Sequence, residues 1–173
     1  MPTAQCSTFS RRCLSVRGLF LLSAAASAGL ILFALYLQYV QGEHPCPLCI
    51  TQRIFVIAVG LLALAAAIHN PKQTGRRVWA SLMALAALLG GVVAARHVWI
   101  QQLPEDQVPA CGPDLAYMFD NFPFQQAVEL LFMGDGNCHE VGWTLLGLSI
   151  PAWTLICFVG FLSVSLYQLL RRA

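Results

Sequence analysis

Charged residues are scarce in this chain. Of its 173 residues, 10% are charged and 58% are hydrophobic, whereas a soluble domain usually has about a quarter charged residues. So few charged side chains cannot cover the surface of a soluble fold of this size, and the mean hydropathy of +0.67 agrees. We therefore expect an integral membrane protein. The net charge of +2 says little by itself. We expect the lipid bilayer, and no nucleic acid, as a partner.

The absence of charge is also local, because residues 18–40 carry none. At about 1.5 Å per residue this run is long enough for a bilayer core of about 30 Å. Three further apolar runs follow, and no repeat or low-complexity tract interrupts them. The sequence predicts an all-α membrane protein with one domain over 1–173 and four spans, at about 18–40, 49–69, 78–98 and 143–167.

A cleaved signal peptide is the alternative for the first run. Basic residues precede it, and residues 23–28 are small. The apolar core of a signal peptide is about 7–15 residues long, however, and this run continues to Leu35 and beyond. We therefore expect a membrane span.

Lys and Arg in the connecting segments predict the orientation. Most lie before the first span, in the 70–77 link and at the C-terminus, so both termini should be cytoplasmic. The segments 41–48 and 99–142 should then face outward. All eight Asp and Glu fall in those two segments, which agrees.

The long outward segment contains an amphipathic pattern. Its apolar residues recur at helical spacing, with Pro123 at a possible start and Gly134 at a possible end. We expect a short helix that lies in the membrane interface or packs on the ends of the spans. The residues of its apolar face are Phe124, Ala127, Val128 and Leu131.

Seven cysteines are present, an odd number, so at least one is unpaired within the chain. Four lie in the outward segments or at their edge, where disulfides form and persist. These are Cys46, Cys49, Cys111 and Cys138. The other three are Cys6 and Cys13, on the cytoplasmic side, and Cys157, inside the fourth span; we expect no redox role for them.

Three uses of the four outward cysteines compete. They could form two structural disulfides, hold a metal, or open and close as redox pairs. A disulfide across a two-residue loop constrains little of the unfolded chain. A zinc site usually has two close ligand pairs, whereas Cys111 and Cys138 are far apart. CxxC is a spacing typical of redox disulfides, so we favour redox chemistry and predict no metal ligand.

The residues after the CxxC also favour this chemistry. If Pro47 opens the helix, Cys49 falls in its first turn, where the positive end of the helix dipole favours a thiolate. Arg53 is four residues further, on the same helical face. A cation at this depth is costly. The alternative is an arginine whose charged end reaches back to the lipid headgroups. Because Arg53 lies one turn below a reactive cysteine, we expect an anion partner: the Cys49 thiolate or an oxyanion on a bound acceptor.

Two dithiol pairs on one side of a membrane indicate an electron relay. One pair can exchange with an external protein, and the other needs an acceptor in the lipid, for which a quinone is the natural candidate. His97, at the outward end of the third span, could bind a quinone carbonyl or supply a proton. An ordinary interfacial histidine remains the alternative.

At this point the sequence resembles the bacterial disulfide bond formation protein B (DsbB) family over nearly its whole length. Three groups of residues carry the resemblance. They are Pro45-Cys46-Pro47-Leu48-Cys49 with Gln52-Arg53; Cys111-Gly112-Pro113 with Leu115; and Cys138 followed by Trp143, Leu146-Gly147-Leu148, Pro151 and Trp153.

The resemblance implies a four-transmembrane-helix bundle with a long periplasmic loop, in the bacterial inner membrane. It implies redox-active disulfides Cys46–Cys49 and Cys111–Cys138, with a transient Cys46–Cys138 bridge. A reduced periplasmic thioredoxin-fold oxidase, DsbA, would attack the Cys111–Cys138 pair. The electrons would pass to ubiquinone, or to menaquinone without oxygen.

The resemblance also implies the residues that bind the quinone: Arg53, His97 and Gln52. The predicted activity is that of a protein dithiol:quinone oxidoreductase. One rival is an enzyme of the vitamin K epoxide reductase type, in which the quinone-side CxxC is expected in a later helix. The other is a membrane metal-binding protein without enzymatic activity, but the spans lack a run of polar or acidic residues for an ion path.

Overall fold

Four long helices form the protein in a computed structural model that describes residues 15–108, 122–123, 125–126, 132, 134, 136–139 and 141–171. They are α1 (Val16–Tyr39), α2 (Pro47–His69), α3 (Gln73–Ile100) and α4 (Ile150–Leu170). Each is long and apolar enough to cross a membrane. The predicted four-helix membrane fold is confirmed, and the chain is a multi-pass membrane protein.

Local sequence signals set the helix ends. The Ser15 hydroxyl accepts a hydrogen bond of 3.0 Å from the Gly18 N–H and caps α1. Pro47 occupies the start of α2, where its missing N–H costs nothing. Asn70 ends α2 in the left-handed conformation with φ 44°, and Pro71 follows. The apolar runs therefore become helices of defined length.

The start of the fourth helix differs from the expected boundary. Residues 144–149 form a two-stranded hairpin, β1 (Thr144–Leu145) and β2 (Leu148–Ser149), and α4 begins only at Ile150. Leu146 and Gly147 both have positive φ, as the tight turn of a two-residue hairpin requires. Most hairpin residues are apolar, so the composition does not distinguish them from the span. The sequence therefore predicted a span that begins too early.

The third helix is longer than its expected span. It begins at Gln73, so Arg76 and Arg77 belong to its first turns. Arg76 is only 6% exposed because its side chain reaches across the bundle and donates to the Arg171 carbonyl at the end of α4. This contact ties the start of α3 to the end of α4.

Small residues line the helix contacts. α2 packs between α1 and α3, and α3 packs along α4. Ala63 and Ala66 on α2 and Ala80 and Ala87 on α3 are fully buried or nearly so, which lets the backbones approach closely. Large apolar side chains such as Leu61 point outward, as expected for a surface that faces lipid.

Three expectations lie outside the described residues. They concern Cys111, the apolar face of the loop helix (Phe124, Ala127, Val128 and Leu131), and the cytoplasmic cysteines Cys6 and Cys13.

We predict that Gly90→Ala destabilises the bundle. An added Cβ at Gly90 would lie 2.4 Å from the Phe158 ring and 2.8 Å from Phe55 Cβ, so the helices must separate. Overpacking of this kind costs about 1–3 kcal/mol. The thermal unfolding midpoint of the detergent-solubilised protein should fall.

Gly91→Ala is the matched control. Its added Cβ would meet Phe158 Cβ at an ordinary 3.6 Å, and alanine favours a helix over glycine. Its midpoint should stay level or rise. Equal falls for the two variants would show that close packing at Gly90 is not the cause.

Candidate active site

The two cysteines of the CxxC lie at the start of α2. Cys46 is the residue just before the helix, and Cys49 is in its first turn. Their Sγ atoms are 3.2 Å apart, and both are partly buried free thiols. A disulfide brings two sulfurs to about 2.05 Å, so a small movement at the helix start joins them.

A third cysteine reaches the same place from the long loop. Cys138 ends a short 3₁₀ helix, Gly136–Cys138, and is completely buried. It packs in an apolar cluster with Leu48 of α2 and with Val93 and Ile100 of α3. Cys138 is therefore buried against the start of α2 and the end of α3.

Two further contacts hold this part of the loop. Gly134 has φ +74°, and an added Cβ there would lie 2.6 Å from Leu48 Cδ1. Only glycine suits that conformation at such close approach. His139 Nε2 lies 3.0 Å from the Leu103 carbonyl oxygen and can donate to it. The loop is thus anchored on both sides of Cys138.

His97 completes the cluster from α3. It is 2% exposed, and its Nε2 lies 3.7 Å from Cys46 Sγ. The potential ligand atoms of Cys46, His97 and Cys138 all lie within 4.8 Å of one another. We refer to these three residues as the thiol–imidazole cluster.

Gln52 orients the His97 ring. The Gln52 side-chain nitrogen lies 3.0 Å from His97 Nδ1, and the glutamine is 3% exposed. With the amide donating to Nδ1, the proton on Nε2 is directed toward Cys46. In the structure His97 Nε2 thus faces a protein thiol. The sequence led us to expect a quinone carbonyl as its partner, and the ring also lines the cavity described next.

An apolar cavity of ≈ 290 Å³ opens beside the CxxC. Its walls come from α1, α2, α4 and the hairpin, and Trp143 packs edge-to-face on Phe33 at 5.7 Å. A small number of polar groups in an apolar wall is typical of sites for small organic molecules. Cys46 and Cys49 line this cavity, whereas Cys138 is not among the described residues that do.

Arg53 supplies the positive charge of the cavity wall. Its guanidinium donates to the Gln38 side-chain oxygen and, at 3.4 Å, to the Ala34 carbonyl, both on α1. Five N–H donors are available on a guanidinium, so these two bonds leave donors for a bound oxygen. Arg53 therefore lies on α2, one turn after Cys49, and is fastened to α1.

Two residues of the site were not predicted. One is Gln38, which accepts the hydrogen bond from Arg53, although a polar residue near the end of an apolar span is a signal. Cys157 was given no role, and it does line the cavity from α4. A lone cysteine in an apolar run has no pattern that reveals which way it faces.

Comparison with known proteins gives one consistent match. The model of the family described as disulfide bond formation protein DsbB matches residues 16–168. The protein named disulfide bond formation protein B from Saccharophagus degradans is 60% identical over 159 residues, covering 92% of this chain and 96% of its own. Its counterpart from Hahella chejuensis is 51% identical over the same share of both chains. Disulfide bond formation protein B 1 of Pseudomonas aeruginosa is 50% identical, covering 92% of this chain and 98% of its own.

The burial of the three thiols predicts an order of alkylation in the reduced protein. Cys46 and Cys49 are partly exposed, whereas Cys138 is buried and reacts only after local opening. A maleimide should label Cys46 and Cys49 clearly before Cys138, followed by peptide mass spectrometry over time.

Denaturant is the control, because it should make the three rates equal. Labelling of Cys138 as fast as that of Cys46 in the folded protein would contradict the anchored loop.

Proposed function

This chain belongs to the disulfide bond formation protein DsbB family, and we propose that it transfers electrons from a periplasmic thioredoxin-fold oxidase to a membrane quinone. Membership makes the chain a membrane disulfide oxidoreductase. The proposal adds the partner, DsbA, the acceptor, ubiquinone or menaquinone, and the role of each residue. The observation that carries it is the convergence of Cys46, Cys138 and His97 beside a cavity that Cys49 also lines.

The first exchange takes place in the loop. A thiolate of the reduced partner attacks the Cys111–Cys138 disulfide and forms a mixed disulfide at Cys111. Cys138 leaves as a thiolate. Cys111 lies outside the described residues, so its role rests on the family resemblance alone.

The second exchange takes place at the thiol–imidazole cluster. The Cys138 thiolate attacks Cys46, the Cys46–Cys138 bridge forms, and Cys49 leaves as a thiolate. The closeness of Cys138 and Cys46 supports this step, since their sulfurs need little movement. His97 Nε2 can donate to Cys46 Sγ and stabilise negative charge there when the bridge later opens.

The residues of the cavity fit a quinone. Its apolar walls suit a lipid-soluble ring, and Arg53 has donors available for a carbonyl oxygen. A bound quinone supplies a two-electron, two-proton acceptor.

The second thiolate of the partner would attack the mixed disulfide, and the oxidised partner would leave. The Cys111 thiolate released in this way would attack Cys138 of the Cys46–Cys138 bridge, so that Cys111–Cys138 reforms and Cys46 leaves as a thiolate. Cys46 and Cys49 would then form their disulfide as two electrons and two protons pass to the quinone. In sum, one partner dithiol becomes a disulfide and one quinone becomes a quinol.

The proposed orientation places the cluster at the periplasmic face of the inner membrane, with both termini cytoplasmic. The distribution of Lys and Arg supports it. Four spans also require the two termini to share one side. A periplasmic cluster is accessible to an oxidase that works on secreted proteins.

We predict that Cys49→Ser abolishes oxidation of the partner by quinone, because the Cys46–Cys49 disulfide can then no longer form and no Cys49 thiolate is released beside the cavity. The measurement is quinol formation by the purified variant with reduced partner. Cys111→Ser is the matched control: it should lose exchange with the partner but still pass electrons from a small dithiol to quinone. Quinol formation at the unaltered rate by Cys49→Ser would refute the assignment.

We predict that Arg53→Ala raises the KM for quinone about tenfold or more, since a hydrogen bond from a charged donor is worth about 1.5–3 kcal/mol. The KM for the partner should change little. Arg96→Ala removes an exposed cation from the same end of the bundle and should leave both values alone. An unchanged quinone KM in Arg53→Ala would mean that Arg53 serves only to join α1 and α2.

A further inference from the structure

We propose that the reduced thiol–imidazole cluster is a binding site for a soft divalent cation, Zn²⁺ above all, and that the bound cation blocks re-formation of the disulfides. The site consists of Cys46 Sγ, His97 Nε2 and Cys138 Sγ. Cation binding needs only these three groups and goes beyond the proposed electron transfer. The block that follows from it rests on the proposed function.

The distances suit zinc. With about 2.3 Å from zinc to sulfur and about 2.0–2.1 Å to nitrogen, tetrahedral ligand atoms lie roughly 3.6–3.8 Å apart. Cys46 Sγ and His97 Nε2 are already 3.7 Å apart. The other pairs are within 4.8 Å, so a small inward shift of the Cys138 sulfur completes a three-ligand site.

Water can supply the fourth ligand. Cys46 and His97 also line the adjoining cavity, so a water molecule there can reach the cation. Cys49 Sγ lies 3.2 Å from Cys46 Sγ, closer than the tetrahedral spacing, and is not in the group of ligand atoms that lie within 4.8 Å of one another. Zinc can be held by three protein ligands with a water in the fourth position.

Gln52 can hold His97 either as a hydrogen-bond donor to Cys46 or as a metal ligand. A histidine that binds metal through Nε2 must carry its proton on Nδ1, and that proton needs an acceptor. The Gln52 amide faces Nδ1 at 3.0 Å. Rotation of the amide by half a turn presents its oxygen instead, so the same side chain can fix either tautomer.

Charge and burial also favour a divalent cation. Binding releases a proton from each thiol, and two thiolates with one neutral imidazole offset a charge of +2. Cys138 and His97 are buried, so an uncompensated charge would be costly there. A neutral metal complex avoids that cost.

The redox state controls whether the site exists. Any disulfide that includes Cys46 or Cys138 removes a sulfur ligand, so the oxidised protein and the Cys46–Cys138 bridge cannot bind the cation in this way. Conversely, a bound cation occupies the lone pairs of the Cys46 and Cys138 sulfurs, which need them to form a disulfide. Zinc and disulfide formation therefore compete for the same atoms.

The test uses Cd²⁺ as a spectroscopic stand-in. The full-length chain carries Cys→Ala changes at positions 6, 13, 111 and 157, so that only the thiols at the α2 start and Cys138 remain. This variant is reduced in detergent, and the reductant is then removed under anaerobic conditions. The reduced protein is titrated with Cd²⁺. We expect the thiolate-to-cadmium absorption band to saturate at one cation per chain, with no band in the protein oxidised beforehand.

Two variants locate the ligands. His97→Ala and Cys138→Ala should each weaken Cd²⁺ binding at least about tenfold. His69→Ala is the matched control, because His69 is exposed at the far end of α2 and should not change the affinity. Thermal unfolding tests whether each variant is folded. If His97→Ala is not folded, His97→Gln takes its place. An unchanged affinity in the folded His97 and Cys138 variants overturns the site.

A second readout tests the block. In the same chain, Zn²⁺ added before a soluble quinone should slow re-formation of Cys46–Cys49 at least about tenfold, and a chelator should restore the rate, whereas Mg²⁺ should have no effect. Re-formation at full rate with Cd²⁺ bound would overturn the block. If Cd²⁺ binds but quinone never oxidises the zinc-free thiols, it is the proposed function that fails.

Discussion

The position of Cys46, one residue before α2, is the constraint on which the site depends. As the N-cap residue it has an extended backbone, although its carbonyl accepts a hydrogen bond from the Ile50 N–H, and its side chain can meet groups from three directions. Cys49 comes from the first turn of α2, His97 from α3, and Cys138 from the loop. A sulfur one turn deeper would be confined to one helix face and could not reach all of them.

The polar groups around this sulfur are arranged to avoid unpaired burial. Gln52 pairs with one nitrogen of His97, and Arg53 is bound to α1 through Gln38 and Ala34. Each bond joins two helices, so the contacts that satisfy the polar groups also fix the end of the bundle that carries the CxxC. The apolar helix faces supply no such directional contact, because apolar side chains pack against lipid about as well as against another helix. Close packing at small residues and these few hydrogen bonds therefore together determine the helix positions.

Much of this could be predicted from the sequence, for physical reasons. Lipid requires every backbone hydrogen bond to be made within the segment, so long apolar runs must be helices. The redox centre followed from the CxxC spacing. The hairpin before α4 could not be predicted, because its leucines have the composition of a span and only Gly147 marks the turn. Nor could the direction of His97, because a contact between residues 51 positions apart leaves no local pattern.

The geometry also supports the use of two dithiol pairs in the proposed relay. Cys138 is a buried residue of the loop close to Cys46, but it is not among the described residues that line the cavity, whereas Cys49 is. In the proposed relay, a thiol that exchanges with a bulky protein partner must be carried by a loop, and a thiol that meets a lipid-soluble acceptor must lie between helices. One pair does not satisfy both conditions. Cys46 lies between the two environments, so the proposed relay passes the electrons through its sulfur, and any group that occupies this sulfur would separate the partner from the acceptor.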